Sequence, residues 1–385
     1  MVMPKVAFIT PGTFTLPSAK SSSVERVVEN IVPQLAGEAA PRIYGRASRK
    51  LPRRGSLMGV PCFRYPAADK LKYIRSVARS LRQYRPDVVV VENRPKFVLQ
   101  IKKSYPQARV WLSLHSSTFI GPNQIRRSRL RRCFAGAERI VVNSKFLGEV
   151  VSSLVPEASP KIHVVHLGVE PSKFISQYSP EGMARREKLR RARGWENRNV
   201  ILFMGRLIPS KGVHHLLQVL PELAASRPDT LLVIVGSAFY GSHRMTSYSR
   251  KLGRLGRMWP NHVKFVPYVS YDQVPNWFLA ADIAVVPSSG REAFGLVNVE
   301  AMACGLPVVA TRAGGMTEII EDGTTGYLAD PEDLHRQLRD RLLLLLENAE
   351  LRTSMGLGSR ERIERHFTWA NTAERWREML REHRP

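Results

Sequence analysis

Short apolar runs alternate with amphipathic stretches twice along these 385 residues, and few folds accept that pattern. In the first half, runs at 6–10, 87–92, 110–115 and 140–143 are separated by helical periodicities at 24–35, 71–84 and 97–105. In the second half, runs at 200–204, 231–235, 263–266, 283–287 and 308–311 alternate with helical stretches at 213–225, 242–258, 272–279 and 296–303. Strand–helix alternation of this kind builds parallel sheets covered by helices on both faces. Two such sets predict an α/β chain of two Rossmann-like domains, and the length suits two cores rather than one. Residues 171–199, polar and rich in arginine (ARREKLRRARGW), form the expected joint, which places the first domain at 1–175 and the second at 176–366. The tail from 334 onward is helical in period and ends with Phe367, Trp369, Trp376 and Leu380 among charges.

Charge narrows the partners. Lys and Arg total 59 against 33 Asp and Glu, a net +26. Residues 1–175 hold 30 basic and 10 acidic side chains, whereas the remainder holds 29 and 23, so most of the excess lies in the first half. A surface this basic suits phosphate-bearing molecules or an anionic membrane face, although plain solubility would also account for it. No apolar run approaches the ~20 residues of a membrane-spanning helix. The first ten residues carry one lysine and run into a strand, so no leader is expected. Cys62, Cys133 and Cys304 lack CxxC spacing, which fits a reducing cytoplasm and excludes a disulfide framework or a zinc module.

In open parallel sheets, ligands bind beyond the carboxyl ends of strands. The run 200–204 leads into Gly205-Arg206-Leu207-Ile208-Pro209-Ser210-Lys211-Gly212 and then a helix. Arg206 and Lys211 thus sit near a positive helix end, which makes a diphosphate site, or merely a turn with solvated charges. The spacing is neither a P-loop nor a dinucleotide fingerprint. After 283–287 come Glu292 and, eight positions on, Glu300, about two turns into a helix that begins near Gly295. A loop carboxylate at such a place binds sugar hydroxyls or handles a proton. A carboxylate deeper in the helix can accept two hydrogen bonds from a ribose diol. The bland alternative is a pair of surface glutamates.

The stretch EAFGLVNVEAMACGLPVVATRAGGMTEIIEDGTTGYL, residues 292–328, resembles the E-x7-E region of glycosyltransferase family 4, whose members are retaining enzymes of the GT-B fold. FMGRLIPSKG is similar to that family's phosphate-binding turn, and VVHLGVEPSKF to its segment at the domain joint. FTWANTAERW resembles the last helices, which in this fold cross back to complete the N-terminal domain. The first half resembles most nearly the spore-coat-associated transferases. The resemblance implies two Rossmann-like domains facing across a cleft, with acceptor bound by the first and donor by the second. It implies that Arg206 and Lys211 bind the diphosphate, that Glu300 holds the ribose and that Glu292 contacts the transferred sugar. Phe294, Gly295 and Leu296 would offer backbone groups to sugar and phosphate. His115 would line the catalytic cleft, and Gly236 a turn beside the base. Ser22 and Ser23 stand where the family has Gly-Gly, so their contact to the diphosphate depends on side-chain hydroxyls or a less close approach.

These readings lead us to expect a retaining hexosyltransferase. It would move sugar from a nucleotide-diphosphate donor to a cell-envelope, spore-coat or other glycan or lipid acceptor. The protein would be cytoplasmic, with peripheral attachment to the inner face of the membrane through the basic first half as one use of its charge. No Asp-x-Asp closes a strand, so neither an essential metal nor another cofactor is expected. The alternative is an inactive GT-B protein serving as a structural coat component. A nucleic-acid binder is suggested by charge only and lacks any binding motif.

Overall fold

The computed structural model describes residues 3–17, 23–239, 244–288 and 292–382. It divides into two compact units, one made of residues 1–167 and 369–385, the other of 168–368.

Unit 1 comprises, in chain order, β1 (Lys5–Ile9), α1 (Ser23–Ile31), β2 (Ala40–Arg46), β3 (Arg54–Leu57), β4 (Val60–Tyr65), α2 (Lys70–Tyr84) and β5 (Val88–Glu92). It continues through α3 (Pro95–Ser104), β6 (Val110–Leu114), α4 (Arg127–Gly136), β7 (Arg139–Val142), α5 (Lys145–Leu154) and β8 (Ile162–Val164). The sheet order is β3-β4-β2-β1-β5-β6-β7-β8, and only β3 runs antiparallel to its neighbour. Strands β5 and β6 are buried along their whole length, as expected where helices cover both faces. The sequence pattern did not reveal β2, β3, β4 or β8. In β2, Pro41, Arg42, Gly45 and Arg46 break the apolar run, yet the strand pairs in parallel with β1 from Lys5 opposite Ala40.

Unit 2 comprises α6 (Pro180–Arg191), β9 (Asn199–Met204), α7 (Val213–Ser226), β10 (Thr230–Val235), α8 (Ser247–Gly256), β11 (Val263–Val266) and α9 (Val274–Ala280). After these come β12 (Ile283–Val286), α10 (Leu296–Ala303), β13 (Val308–Thr311), α11 (Met316–Ile319), β14 (Gly326–Ala329), α12 (Leu334–Glu347) and α13 (Ala349–His366). Its sheet is wholly parallel in the order β11-β10-β9-β12-β13-β14. The expected joint lies inside this unit. Gln177 bonds by its N–H to Cys304 O (3.0 Å) and by its amide to Gly305 O (2.6 Å). Val169 N–H bonds to Phe367 O (2.9 Å). The arginines of α6 reach further: Arg186 and Arg190 both pair with Asp282 at the start of β12.

The chain then returns to unit 1 as α14 (Trp369–Arg381). Its inner face is Trp369, Ala373, Trp376 and Leu380, all at least 95% buried. Trp376 packs on Phe8 of β1 (ring centroids 5.7 Å) and on Trp111 of β6 (6.2 Å). Thr372 Oγ1 donates to His166 O (3.0 Å), and Arg381 pairs with Glu38 (2.7 Å). No helix among the described residues is long and apolar enough to cross a membrane.

Candidate functional site

In unit 2 the chain builds outward from β9, first through β10 to β11 and then, on the other side, through β12 to β14. The reversal between β9 and β12 is where a parallel sheet leaves a crevice beyond its carboxyl ends. Both sequence motifs converge there. The loop after β9 carries Arg206, exposed, and ends in a tight turn at Pro209–Lys211. Gly212 closes that turn at φ +70°, and a Cβ there would fall 1.7 Å from Pro287 O at the end of β12. A side chain is excluded by both the backbone angle and the contact. The loop after β13 holds the other motif in the same way: Gly315 N–H donates to Glu292 O (2.9 Å), and a Cβ on Gly314 would lie 1.9 Å from that oxygen.

These two pinned loops bring Lys211 and Glu292 together as an ion pair, each side chain about three-quarters buried. Helices α7 and α10 start on either side, at Gly212 and Gly295, and neither has a side-chain cap among the described residues. Two uncapped helix N-termini, with Lys211 between them and Arg206 on the preceding loop, offer N–H donors and positive potential to an anion. His214 and His215 add no charge at neutral pH, because burial holds both imidazoles below the usual histidine range.

The remaining predicted residues fall around this centre. Glu300 is 5% exposed on α10. Phe294 is buried and packs on Phe367 (6.1 Å), while Leu296 opens α10 half-buried. Gly236 follows β10, and its N–H bonds to Val266 O (2.9 Å). Three residues carry no obvious signal in sequence: Ser288, Asn298 and Thr311 are buried, and their side-chain polar atoms have no hydrogen-bond partner among the described residues. Each such group costs about 1–3 kcal/mol. They gather at the same end of the sheet, which suits a ligand rich in hydroxyl and phosphate oxygens.

In unit 1, His115 follows β6 directly. Its Nε2 lies 2.7 Å from Glu92 Oε2 and 3.1 Å from Ser113 Oγ, and its side chain is 5% exposed. Its backbone is held on both sides, by Asn93 Oδ1 at its N–H (3.2 Å) and Asn143 Nδ2 at its carbonyl (3.3 Å). Glu92 escaped the sequence reading, although a carboxylate closing the run VVVVE is a visible signal. Ser23 opens α1, and Ser22 lies outside the described residues.

Residues 185–362 match the family described as Glycosyl transferases group 1, and residues 24–173 match Glycosyltransferase Family 4. Spore coat protein SA of Bacillus subtilis is 31% identical over 96% of this chain and 97% of its own length. The putative glycosyltransferase YtcC of the same organism is 29% identical over 96% and 90%. Among solved structures, Anabaena Alr3699/HepE in complex with UDP-glucose superposes with a TM-score of 0.77 over 98% of this chain and all of that one, at 21% identity.

Proposed function

Because the chain belongs to the group 1 glycosyltransferases, has the GT-B fold and is a nucleotide-sugar-dependent enzyme, we propose that unit 2 binds the donor through the crevice between β9 and β12. The observation that carries this reading is the Lys211–Glu292 pair set between two uncapped helix starts. Lys211, Arg206 and the α10 backbone around Phe294, Gly295 and Leu296 receive the diphosphate. They stabilise the negative charge that builds on it as the glycosidic bond breaks. Glu300 takes the ribose. Glu292 takes the sugar, leaving Lys211 as phosphate arrives. Gly236 borders the base. The sugar is transferred with retention to a glycan or lipid acceptor of the envelope or a spore coat, and His115, fixed by Glu92, is the catalytic residue that unit 1 contributes.

Cations rather than a metal carry the leaving group in this scheme. Thermal stabilisation by one of the UDP-, GDP- or ADP-sugars, with sugar transfer that survives EDTA, is the expected result. Strict dependence on Mn²⁺ or Mg²⁺ contradicts the scheme. A purely structural role, as the name of the B. subtilis relative suggests, predicts no stabilisation by any sugar nucleotide.

We assign the surplus charge of unit 1 to an anionic surface. On α4 and its N-cap, Arg126, Arg127, Arg129, Arg131 and Arg132 are all exposed; Arg127 bonds to Leu154 O and Arg131 pairs with Glu157. Near an anionic bilayer each such residue contributes about 1 kcal/mol, screened beyond roughly 8 Å at physiological salt. The protein should co-sediment with anionic vesicles at low salt and be released at high salt. Reversing Arg126, Arg129 and Arg132 to Glu should abolish sedimentation with nucleotide binding intact. Equal recovery in the supernatant with anionic and neutral lipids would refute the assignment.

A further inference from the structure

Unit 1 spreads its cations unevenly around one edge of its sheet. Between Glu38 and Asp69 the chain carries seven basic residues and no acidic one. Three of the seven are tied into the fold. The Arg42 guanidinium lies 3.6 Å from the centre of the Tyr84 ring and 4.5 Å from that of Phe63. Arg46 donates from Nη1 to Thr13 O (2.8 Å). Arg64, 3% exposed, donates from Nε to Leu16 O (2.9 Å) and from Nη1 to Pro52 O (3.0 Å). The other four, Arg49, Lys50, Arg53 and Arg54, are all exposed, and no carboxylate among the described residues pairs with them.

These four lie on and before β3, the outer strand of the eight-stranded sheet. Its backbone phase follows from its pairing with β4. Arg64 N–H donates to Arg53 O (2.8 Å), and the register runs from Arg54 opposite Phe63 to Leu57 opposite Val60. Antiparallel pairs alternate, so residues 53, 55 and 57 bond to β4 while Arg54 and Ser56 turn their N–H and C=O outward. Pro61, which has no N–H to give, stands opposite Ser56, as that phase requires. No described strand takes up the outward groups.

The turn between β3 and β4 is a second sign of use. Met58 and Gly59 both have positive φ, +47° and +84°, as in the two-residue turns that favour Asn-Gly. Met58 nevertheless holds the first position and is 79% exposed. A hairpin that only ended the sheet would close more easily with Asn there. A short strand and a single charge are also enough to blunt an edge. Here a strand of four residues is accompanied by four cations.

We propose that the outer edge of β3 accepts an acidic, extended peptide segment of a partner protein as an added strand. The backbone groups of Arg54 and Ser56 supply the ladder, and Arg49, Lys50, Arg53 and Arg54 meet the carboxylates. A second copy of this chain would bring the same four cations to the edge, and like charges set opposite one another repel. The edge belongs to unit 1 alone and needs nothing from the glycosyltransferase reading.

The probe is a capped peptide of alternating Glu and Thr, long enough to span β3, with the full-length protein. One control is the same peptide N-methylated at every residue, which keeps the charge and loses the N–H donors. The other is the Lys-Thr counterpart. The Glu peptide should bind, N-methylation should weaken it at least about 10-fold, and the Lys peptide should not bind. Hydrogen exchange at the Arg54 and Ser56 amides should slow when the Glu peptide is present. Arg53→Glu combined with Arg54→Glu should weaken binding at least about 10-fold at an unchanged melting temperature, since both side chains are exposed. Ser56→Pro should weaken it too by removing an outward N–H, whereas Ser56→Ala should bind as the parent does. The assignment is overturned if no peptide binds, or if the N-methylated peptide binds as well as its parent, which would leave charge alone. Unchanged exchange at the two amides also overturns it. So would vesicles of phosphatidylcholine and phosphatidylglycerol that bind through Arg53 and Arg54 while the Glu peptide does not, since the edge would then be a membrane contact.

Discussion

Lys211→Ala should weaken nucleoside diphosphate binding roughly 10- to 150-fold, while Glu292→Gln should leave it unchanged or tighter and lower sugar transfer by about 100-fold or more. The opposite signs follow from one contact. Glu292 holds the ammonium of Lys211 in the ligand-free protein, so the carboxylate competes with an arriving diphosphate for the same cation. Removing its charge removes the competitor, yet also removes the group proposed to meet the sugar. The pair itself contributes little to folding, because both side chains keep about a fifth of their surface in water. Loss of affinity in Lys211→Ala is therefore a binding effect, and an unchanged melting temperature in both variants is the control. Arg206→Ala should follow Lys211→Ala in direction. Calorimetric titration with the free diphosphate and with the sugar nucleotide separates the roles. Equal weakening by Lys211→Ala and Glu292→Gln would mean that the two act as one unit and that Glu292 does not serve the sugar.

Trp376→Ala should cost unit 1 about 3–5 kcal/mol, the range for emptying a large aromatic site in a packed core. The indole is 3% exposed and touches two strands of the sheet through Phe8 and Trp111, so no single neighbour can collapse into the space. For a unit of this size the loss corresponds to a drop of about 6–20 °C in its melting transition. Unit 2 owns none of these contacts and should melt as before, so scanning calorimetry should show one transition moving away from another. Met258→Ala, at a residue 71% exposed, is the matching control and should change neither. A single transition shifted as a whole would show that the two units unfold together.

The fold was legible wherever burial on both sheet faces demanded unbroken apolar runs: β5, β6, β10 and β12 all announce themselves. It was less so at the sheet margins. Strand β14 is only Gly326–Ala329, and β3 pairs through backbone groups with three of its four residues exposed. Their place is decided by neighbours distant in sequence, which periodicity does not record. The candidate site of unit 2 was legible because its residues are local: Arg206 and Lys211 share one loop, Glu292 and Glu300 one loop and helix. What the sequence withheld was the pairing of Lys211 with Glu292 across 81 positions. The partners of His115 are likewise spread over separate strand ends.

The return of α14 to unit 1 also sets a schedule for the newborn protein. Residues 1–167 leave the ribosome first, but the helix that covers Phe8 and Trp111 is made only after the whole of 168–368. At a synthesis rate of about 5–20 residues per second that interval is about 10–40 s, long compared with the folding of a domain. Throughout it, the apolar surface intended for Trp369, Trp376 and Leu380 has no helix to cover it. Unit 2, continuous in sequence, can complete itself in that time. Nascent chains stalled after residue 368 should therefore show a protease-resistant second unit joined to a first that still depends on a holding chaperone.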